Sequence, residues 1–216
     1  MEYQWLNKKE ENNKLIVFFN GWAMNETPVS HLASENYDIL MFFDYRKLND
    51  IISTLDLTKY VEKNLVAFSM GVYAANKFAK ILNSFDRKVA VNGTNKIVDN
   101  NFGIPEKIYK ITVKFLNEDS LDKFIKNMFK GGEINPEIKI TRTLEELKEE
   151  LIEIQKITFE DEIKYDKALI SNDDRIIPTK NQVAFWKNWG NGAKFEIIDG
   201  THCPFKNYNS WREILC

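Results

Sequence analysis

A serine at position 69 stands at the end of a short apolar run and has a small residue two places before it and two places after it. Residues 65–68 form the apolar run, Ala67 and Gly71 are the small neighbours, and a helical pattern over 72–82 follows directly. A strand that turns this sharply into a helix lifts a serine hydroxyl clear of the sheet and points the start of the helix at the reacting oxygen. The pattern favours a nucleophilic serine over an ordinary strand–helix turn capped by a serine.

A serine hydroxyl needs a base within hydrogen-bond reach before it can attack, and the chain has only two histidines. His202 comes directly after the apolar run 193–198, in a loop that follows the last predicted strand. His31 is expected on the first helix, as an exposed or capping residue. His202 is therefore the predicted base.

An acid that orients the base should lie between the serine and the histidine in the chain. Residues 166–171 read as a strand, and Asp173 and Asp174 follow it. Asp174 precedes Pro178 by the spacing typical of such acids, so Asp174 is favoured; Asp173 is the alternative, and a solvated turn carboxylate is the alternative for either. The order Ser69, Asp174, His202 is that of the α/β-hydrolases.

Two backbone N–H groups are expected to stabilise the oxyanion that forms during acyl transfer. Residues 15–19 are the first core strand and residues 20–25 the loop after it. The N–H groups of Trp22 and Met70 are the predicted donors, because both would lie beside the serine and act where charge develops. A surface-anchoring role is the alternative for Trp22.

The elements that must position these residues follow a strand–helix rhythm. Buried parallel strands are predicted over 15–19, 39–43, 64–68, 88–92, 167–171 and 194–198, separated mostly by helices. We therefore expect one α/β-hydrolase domain over 1–216, with a mostly parallel, doubly wound sheet. About seventy residues separate the fourth and fifth strands, which predicts a helical cap insertion over roughly 95–163. Helical patterns at 120–129 and 144–157 fall there, the second opened by a Thr143–Glu146 capping box.

Composition narrows the class of protein further. A net charge of −2 argues against a nucleic-acid binder, and no apolar run is long enough to cross a membrane. Two cysteines form neither a disulfide framework nor a metal cluster, and Cys203 is expected to be a small buried residue. We expect a cytoplasmic monomer with no cofactor and no metal.

Several short motifs recur in one order along almost the whole chain, at 19–28, 44–46, 67–72, 92–94, 103–105 and 202–205. Together they resemble the BioG family, the pimeloyl-[acyl-carrier protein] methyl ester esterases of biotin synthesis. Asn20 and Ala23 depart from the family pattern, which more often has Ala or Gly there, and could alter the mouth of the pocket. The resemblance implies a small α/β-hydrolase that cleaves a methyl ester from the far end of a carrier-bound seven-carbon chain.

Such a substrate would thread beneath the cap while its acyl-carrier protein stays outside. Phe124 and Met128 are expected along the wall of an apolar channel. Lys123, Lys126 and Lys130 share one side of a predicted helix and would steer an acidic carrier, although a solvated helix face is the simpler explanation of such a charge run.

Two other functions fit the same residues. A broad short-chain carboxylesterase or thioesterase would use the same three catalytic groups on free or CoA-linked esters. A ligand-binding protein with a hydrolase fold would use the pocket as a receptor, and an intact Ser69, Asp174 and His202 set argues against it.

Overall fold

The computed structural model describes residues 1–129, 138 and 140–216. Within these residues a single sheet has its strands in the order β1-β3-β2-β4-β5-β6-β7. The strands are β1 Glu2–Asn7, β2 Lys14–Phe19, β3 Tyr37–Phe43, β4 Glu62–Phe68, β5 Arg87–Val91, β6 Lys167–Asp173 and β7 Lys194–Thr201. β1 is antiparallel to β3 and the other neighbours are parallel, so the expected fold class is confirmed.

The central strands carry nearly continuous apolar sequence because both of their faces are buried. The five residues from Leu15 to Phe19 in β2 are fully buried. β1 was not among the predicted strands. Its residues are exposed or half-buried at the edge of the sheet, so its sequence lacks the buried apolar run that marks the central strands. The strand predicted over 194–198 forms as part of β7 and pairs parallel with β6, but the prediction that it is buried is wrong. β7 is the other edge strand, and it exposes Phe195 and Ile197.

The α-helices of the described residues are α1 Met70–Ala74, α2 Ala79–Leu82, α3 Glu106–Lys114, α4 Glu118–Met128, α5 Leu144–Ile154, α6 Thr179–Trp189 and α7 Trp211–Leu215. The continuous helix predicted over 72–82 is instead broken by a 3-10 turn at Ala75–Phe78. The Asn76 side-chain amide explains the break, because it donates to the carbonyls of Val72 and Tyr73 and competes with the regular helical bonds.

The first helix expected around His31 is not formed. Only a 3-10 turn at Thr27–Val29 precedes His31, with Pro28 in its first turn. Ala33 then pairs with the chain near the carboxyl terminus: its N–H donates to the Asn209 carbonyl, and its own carbonyl accepts from the Trp211 N–H. The N–H and carbonyl groups of Ala33 are therefore used in bonds to a distant segment, and they are not available for the internal hydrogen bonds of a helix.

Helices α3, α4 and α5 all lie between β5 and β6. The sequence predicted α4 and α5 to within a few residues but did not predict α3. α5 begins with the predicted capping box: the Thr143 hydroxyl accepts from the Glu146 N–H, and the Glu146 carboxylate accepts from the Thr143 N–H.

Candidate active site

Ser69 occupies a strained turn between β4 and α1. Its backbone has φ 54° and ψ −122°, a region that residues with a Cβ rarely adopt, and its N–H donates to the Val91 carbonyl of β5 at 2.9 Å. Gly71 permits the turn, because a Cβ there would lie 2.3 Å from the Phe19 carbonyl oxygen. A small residue is therefore required two places after the serine, because the backbone at the end of β2 lies so close to it.

The structure brings Ser69, His202 and Asp174 together in one hydrogen-bonded chain. His202 Nε2 lies 2.8 Å from Ser69 Oγ, and His202 Nδ1 lies 2.8 Å from Asp174 Oδ2. The Asp174 carboxylate can only accept, so Nδ1 carries the proton and Nε2 is left to accept from the serine hydroxyl. The His202 and Asp174 side chains are fully buried, and Ser69 is 8% exposed.

Four hydrogen bonds hold the Asp174 carboxylate. Oδ1 accepts from the backbone N–H groups of Ile176 and Ile177, both at 2.9 Å. Oδ2 accepts from His202 and from the side-chain amide of Gln182 on α6, at 2.7 Å. The Gln182 amide nitrogen also donates to the Ile177 carbonyl, whereas its oxygen is buried with no hydrogen-bond partner. Sequence reasoning missed Gln182, which follows Asp174 by eight residues but belongs to no motif.

The alternatives to the histidine and the aspartate lie elsewhere. The His31 ring is exposed, and its Nε2 lies 3.2 Å from the carbonyl oxygens of both Phe205 and Tyr208. Asp173 forms two hydrogen bonds with the Arg175 guanidinium at the surface. Neither contacts Ser69.

Cys203, beside the histidine, is buried as expected. Burial raises the pKa of its thiol to about 12, which keeps it protonated at neutral pH. Its N–H donates to the Met128 carbonyl and so joins the histidine loop to the end of α4.

Asn92 connects the carboxyl ends of β5, β6 and β7 just behind the histidine. Its side-chain amide donates to Ser171 Oγ and to the carbonyls of Thr201 and His202, and its oxygen accepts from the Ser171 N–H. The backbone of Asn92 has φ 45°, a conformation that asparagine tolerates better than most residues. The sequence placed Asn92 in a motif but gave it no role.

The loop after β2 lies directly against the serine. A Cβ on Gly21 would be 3.3 Å from the Ser69 Cβ, and the Asn20 side chain accepts from the Gly21 N–H while donating to the Asn25 carbonyl. Asn20 is buried, and these two hydrogen bonds fix the conformation of the loop. Ala23, the other departure from the family pattern, has φ 63°, where a glycine would be less strained.

Trp22 is buried and joins this loop to the helices between β5 and β6. Its indole N–H donates to the Leu147 carbonyl of α5 at 3.0 Å, and its ring packs edge-on against Phe124 of α4, with ring centroids 4.8 Å apart. Met70 is the first residue of α1. Both Trp22 and Met70 line the same cavity as Ser69.

That cavity has a volume of about 260 Å³ and is mainly apolar. Its wall includes Ile97, Ile104, Tyr109, Phe124, Leu151 and Ile177. Phe124 therefore lies on the wall of this cavity, and its contact with a substrate stays a prediction. Met128 is not among the lining residues and packs in the core beneath the histidine loop.

The three lysines singled out in the sequence are placed differently from one another. Lys123 lines the cavity. Lys126 is exposed and paired with Asp122 at 2.5 Å, one turn earlier on α4, and does not line the cavity. Lys130 lies outside the described residues.

No helix in the described part of the chain is long and apolar enough to span a membrane. Among the same residues, no group of three histidines, cysteines, aspartates or glutamates is arranged to hold a metal ion.

A mainly parallel sheet with a sharp strand–helix turn at a serine, and with a histidine and an aspartate on later loops, defines an α/β-hydrolase fold. An esterase from Exiguobacterium antarcticum shares this fold, with a TM-score of 0.68, 16% identity and coverage of 91% of this chain and 88% of that one. The chain belongs to the family described as pimeloyl-ACP methyl esterase BioG, whose family model matches residues 1–214.

Two other relatives have higher sequence identity. BioG from Haemophilus influenzae has a crystal structure with a TM-score of 0.86 to this chain, 30% identity and full coverage of both chains. A protein from Bacteroides fragilis named malonyl-[acyl-carrier protein] O-methyltransferase is 38% identical over 194 residues. That match covers 87% of this chain but only 39% of the relative's length.

Proposed function

We propose that this chain is a serine esterase that hydrolyses the methyl ester of a pimeloyl-acyl-carrier protein, in the synthesis of the pimelate moiety of biotin. The observation that supports this most strongly is the hydrogen-bonded chain from Ser69 through His202 to Asp174 at an apolar cavity, in a member of a family described by that activity. The distances and burial suit acyl transfer, because each group lies within direct hydrogen-bond reach of the next.

In the proposed reaction His202 Nε2 takes the proton from Ser69 Oγ as that oxygen attacks the ester carbonyl carbon. The tetrahedral intermediate collapses, and His202 gives the proton to the methoxy oxygen, so that methanol leaves. A water molecule then attacks the acyl-enzyme with His202 as base, which releases the free carboxylic acid and restores Ser69. Asp174 keeps the imidazole in the required tautomer and stabilises its cationic form.

The N–H groups of Trp22 and Met70 are the proposed oxyanion donors. Both residues line the cavity beside Ser69, and the Gly21 backbone that precedes Trp22 packs against the serine. Since Trp22 is held by Leu147 and Phe124, its backbone N–H is positioned before the substrate arrives. Preorganised donors of this kind typically contribute about a hundredfold or more to the rate.

The apolar cavity would hold the methylene chain of the substrate, with Phe124 on its wall. The carrier is too large to enter and would remain outside, so that only its acyl arm reaches Ser69. Of the three lysines on or after α4 that the sequence suggested, we retain Lys123 alone as a contact near the mouth, because Lys126 is paired with Asp122 and does not line the cavity.

The test is mass spectrometry of the pimeloyl-carrier methyl ester after incubation with the purified protein. The wild-type protein should remove the mass of one methylene group, the difference between a methyl ester and an acid. Ser69→Ala should fold normally and lose roughly four to six orders of magnitude in rate, with His202→Ala close to it. His31→Ala is the matched control and should retain activity. More than a few per cent of activity in Ser69→Ala would contradict the assignment of the nucleophile.

A broad short-chain esterase is the second candidate, because the part of the cavity beside Ser69 would also accept a small acyl group. The two candidates differ in kcat/KM for carrier-linked and free methyl esters. A strong preference for the carrier-linked ester supports the first, and equal values support the second.

A further inference from the structure

Both polar groups of the peptide unit between Asn20 and Gly21 are held by hydrogen bonds. The Asn20 carbonyl accepts from the Tyr45 hydroxyl at 2.7 Å, and the Gly21 N–H donates to the Asn20 side-chain oxygen at 2.8 Å. The Asn20 N–H donates in turn to the Phe42 carbonyl of β3 at 2.9 Å. This peptide unit is therefore fixed at the point where the chain leaves β2 and enters the loop that packs against Ser69.

The next peptide unit carries the N–H of Trp22, which is one of the two proposed oxyanion donors. The carbonyl of the same unit, that of Gly21, accepts from the Met24 N–H at 3.3 Å and closes a tight turn. The carbonyl and the N–H of a trans peptide unit point in opposite directions, so this bond also sets the direction of the Trp22 N–H. Within the part of the chain that the structure describes, the Trp22 N–H donates to no acceptor, which leaves it available for a substrate oxygen.

Tyr45 is held in place on three sides. It is fully buried, its N–H donates to the Glu150 carboxylate at 2.8 Å, and its ring stacks on that of Phe19 with centroids 6.3 Å apart. Its hydroxyl also lies 3.2 Å from the Phe42 carbonyl, but that carbonyl already accepts from the Asn20 N–H. The single hydroxyl proton is therefore used mainly in the shorter bond to the Asn20 carbonyl. Burial raises the pKa of Tyr45 well above its usual value, so the hydroxyl stays protonated and able to donate.

We propose that Tyr45 is a positioning residue for the oxyanion donor at Trp22. Its hydroxyl holds the Asn20 carbonyl, and through two consecutive peptide units it keeps the Trp22 N–H directed at the place where negative charge develops. This gives a role to the motif at 44–46, to which the proposed reaction assigns none. The inference rests on the proposed function, because Ser69 must attack a carbonyl carbon for an oxyanion to form.

The test removes the hydroxyl alone in Tyr45→Phe, which keeps the ring and its stacking on Phe19. With p-nitrophenyl acetate as substrate, kcat should fall by roughly tenfold or more with little change in KM, because the oxyanion is absent from the bound ground state. Tyr60→Phe is the matched control. Tyr60 is also buried and donates its hydroxyl to the Asp38 carboxylate at 2.6 Å, but it lies at the amino-terminal end of β3, so kcat should stay at the wild-type value.

Inhibition by trifluoroacetone separates positioning from a general loss of stability. Ser69 Oγ adds to the carbonyl carbon of this ketone, His202 takes the hydroxyl proton, and the ketone oxygen becomes an oxyanion like that of the intermediate. The inhibition constant should rise in Tyr45→Phe by about the factor by which kcat falls, and it should not change in Tyr60→Phe. If Tyr45→Phe melts earlier but keeps the wild-type kcat and inhibition constant, Tyr45 is only structural and the positioning role is wrong.

The carrier-linked substrate distinguishes failure of this inference from failure of the proposed function. If Tyr45→Phe shows the expected loss on p-nitrophenyl acetate but the wild type does not cleave the pimeloyl-carrier methyl ester, the positioning role stands and the proposed function fails. If the wild type cleaves that ester and Tyr45→Phe cleaves it with the same kcat, the proposed function stands and the positioning role fails. A wild-type protein that neither cleaves p-nitrophenyl acetate nor binds trifluoroacetone would overturn both.

Discussion

At the scale of single residues, the Asp174 carboxylate is the most constrained group of the site. Its four hydrogen bonds come from two backbone N–H groups, from Gln182 and from His202. This set fixes both oxygens, so the carboxylate can present only Oδ2 to the histidine. The orientation of the His202 ring, and with it the proposed proton transfer from Ser69, depends on that single oxygen.

Asp174→Asn should reduce kcat about a thousandfold or more with little change in KM for a small ester. An asparagine amide can donate to Nδ1 and so favours the tautomer of His202 that cannot act as the proposed base. Steady-state kinetics on p-nitrophenyl acetate measures the effect. Asp173→Asn is the control one residue away and should cost little, because Asp173 contacts Arg175 at the surface. The opposite ranking would move the acid to Asp173.

Gln182→Leu should reduce kcat for a small ester by roughly tenfold with little change in KM. The Gln182 amide donates to the same Asp174 oxygen that faces His202, so its loss leaves that oxygen less firmly placed. A hydrogen bond to a charged group contributes about 1.5–3 kcal/mol, which corresponds to roughly a tenfold or greater change in rate. Steady-state kinetics on p-nitrophenyl acetate measures the effect, and Gln155→Leu, an exposed substitution at the end of α5, is the matched control. A lower melting temperature with an unchanged kcat would show that Gln182 has only a structural role.

The sequence could indicate Ser69, Asp174 and His202 because each stands in a local pattern and their order along the chain is informative. Nothing local marks Gln182 or Asn92. Their roles arise from side-chain hydrogen bonds to residues brought close only by folding, such as the 110-residue separation between Asn92 and His202. A single sequence carries no signal for such contacts.

At the scale of elements, the predicted strands were those that carry a run of apolar residues, including β7, which lies exposed at the opposite edge of the sheet from β1. β1 was missed because an exposed edge strand needs no continuous apolar run. α3 was missed for a related reason: its apolar residues at 108, 111 and 115 line the open cavity beside Ser69 and stay largely exposed, so they do not mark a side packed in the core. The apolar pattern is therefore least informative for elements that face solvent or an open cavity.

Asn92→Asp tests whether the ends of β5, β6 and β7 must be joined for catalysis. Aspartate tolerates the same left-handed backbone, so only the hydrogen bonds change: a carboxylate cannot donate to Ser171, Thr201 and His202. We expect kcat to fall by about a hundredfold with KM nearly constant, because misplacing a catalytic group by about 1 Å has this effect.

The measurement is steady-state kinetics well below the melting temperature of the variant. Asn101→Asp, an exposed change in the turn before α3, is the matched control and should leave kcat unaltered. A variant that melts earlier but keeps wild-type kcat would show that Asn92 stabilises the strands without positioning His202.

At the scale of the whole molecule, buried charges join the helices between β5 and β6 to the central sheet. Glu150 of α5 is fully buried, accepts from the Tyr45 N–H just after β3 and pairs with Arg142 at 2.7 Å. Tyr45 in turn donates its hydroxyl to the Asn20 carbonyl at the start of the loop beside Ser69. Burial raises the pKa of Glu150, and the Arg142 guanidinium opposes this shift. The Glu150–Tyr45 hydrogen bond therefore ties the helices that cover the cavity to the end of β3, and Arg142 balances the buried charge that makes this bond.

Arg142→Met should destabilise the protein by roughly 3–5 kcal/mol at pH 8, because it leaves the Glu150 carboxylate buried without its cation. The loss should be smaller at pH 5. Without Arg142 the pKa of Glu150 rises further above its unfolded value, so the native state holds a proton that the unfolded state has released, and stability falls as pH rises. Urea unfolding at the two pH values measures both effects.

Arg142→Met/Glu150→Gln is the decisive companion to that variant. Glutamine keeps an oxygen to accept from the Tyr45 N–H but carries no charge, so the double variant should recover a large part of the lost stability and lose the added pH dependence. Equal destabilisation of the single and double variants at both pH values would show that Arg142 stabilises the protein through packing and not through Glu150. Recovery in the double variant would show that the cost of Arg142→Met comes from the unpaired Glu150 carboxylate.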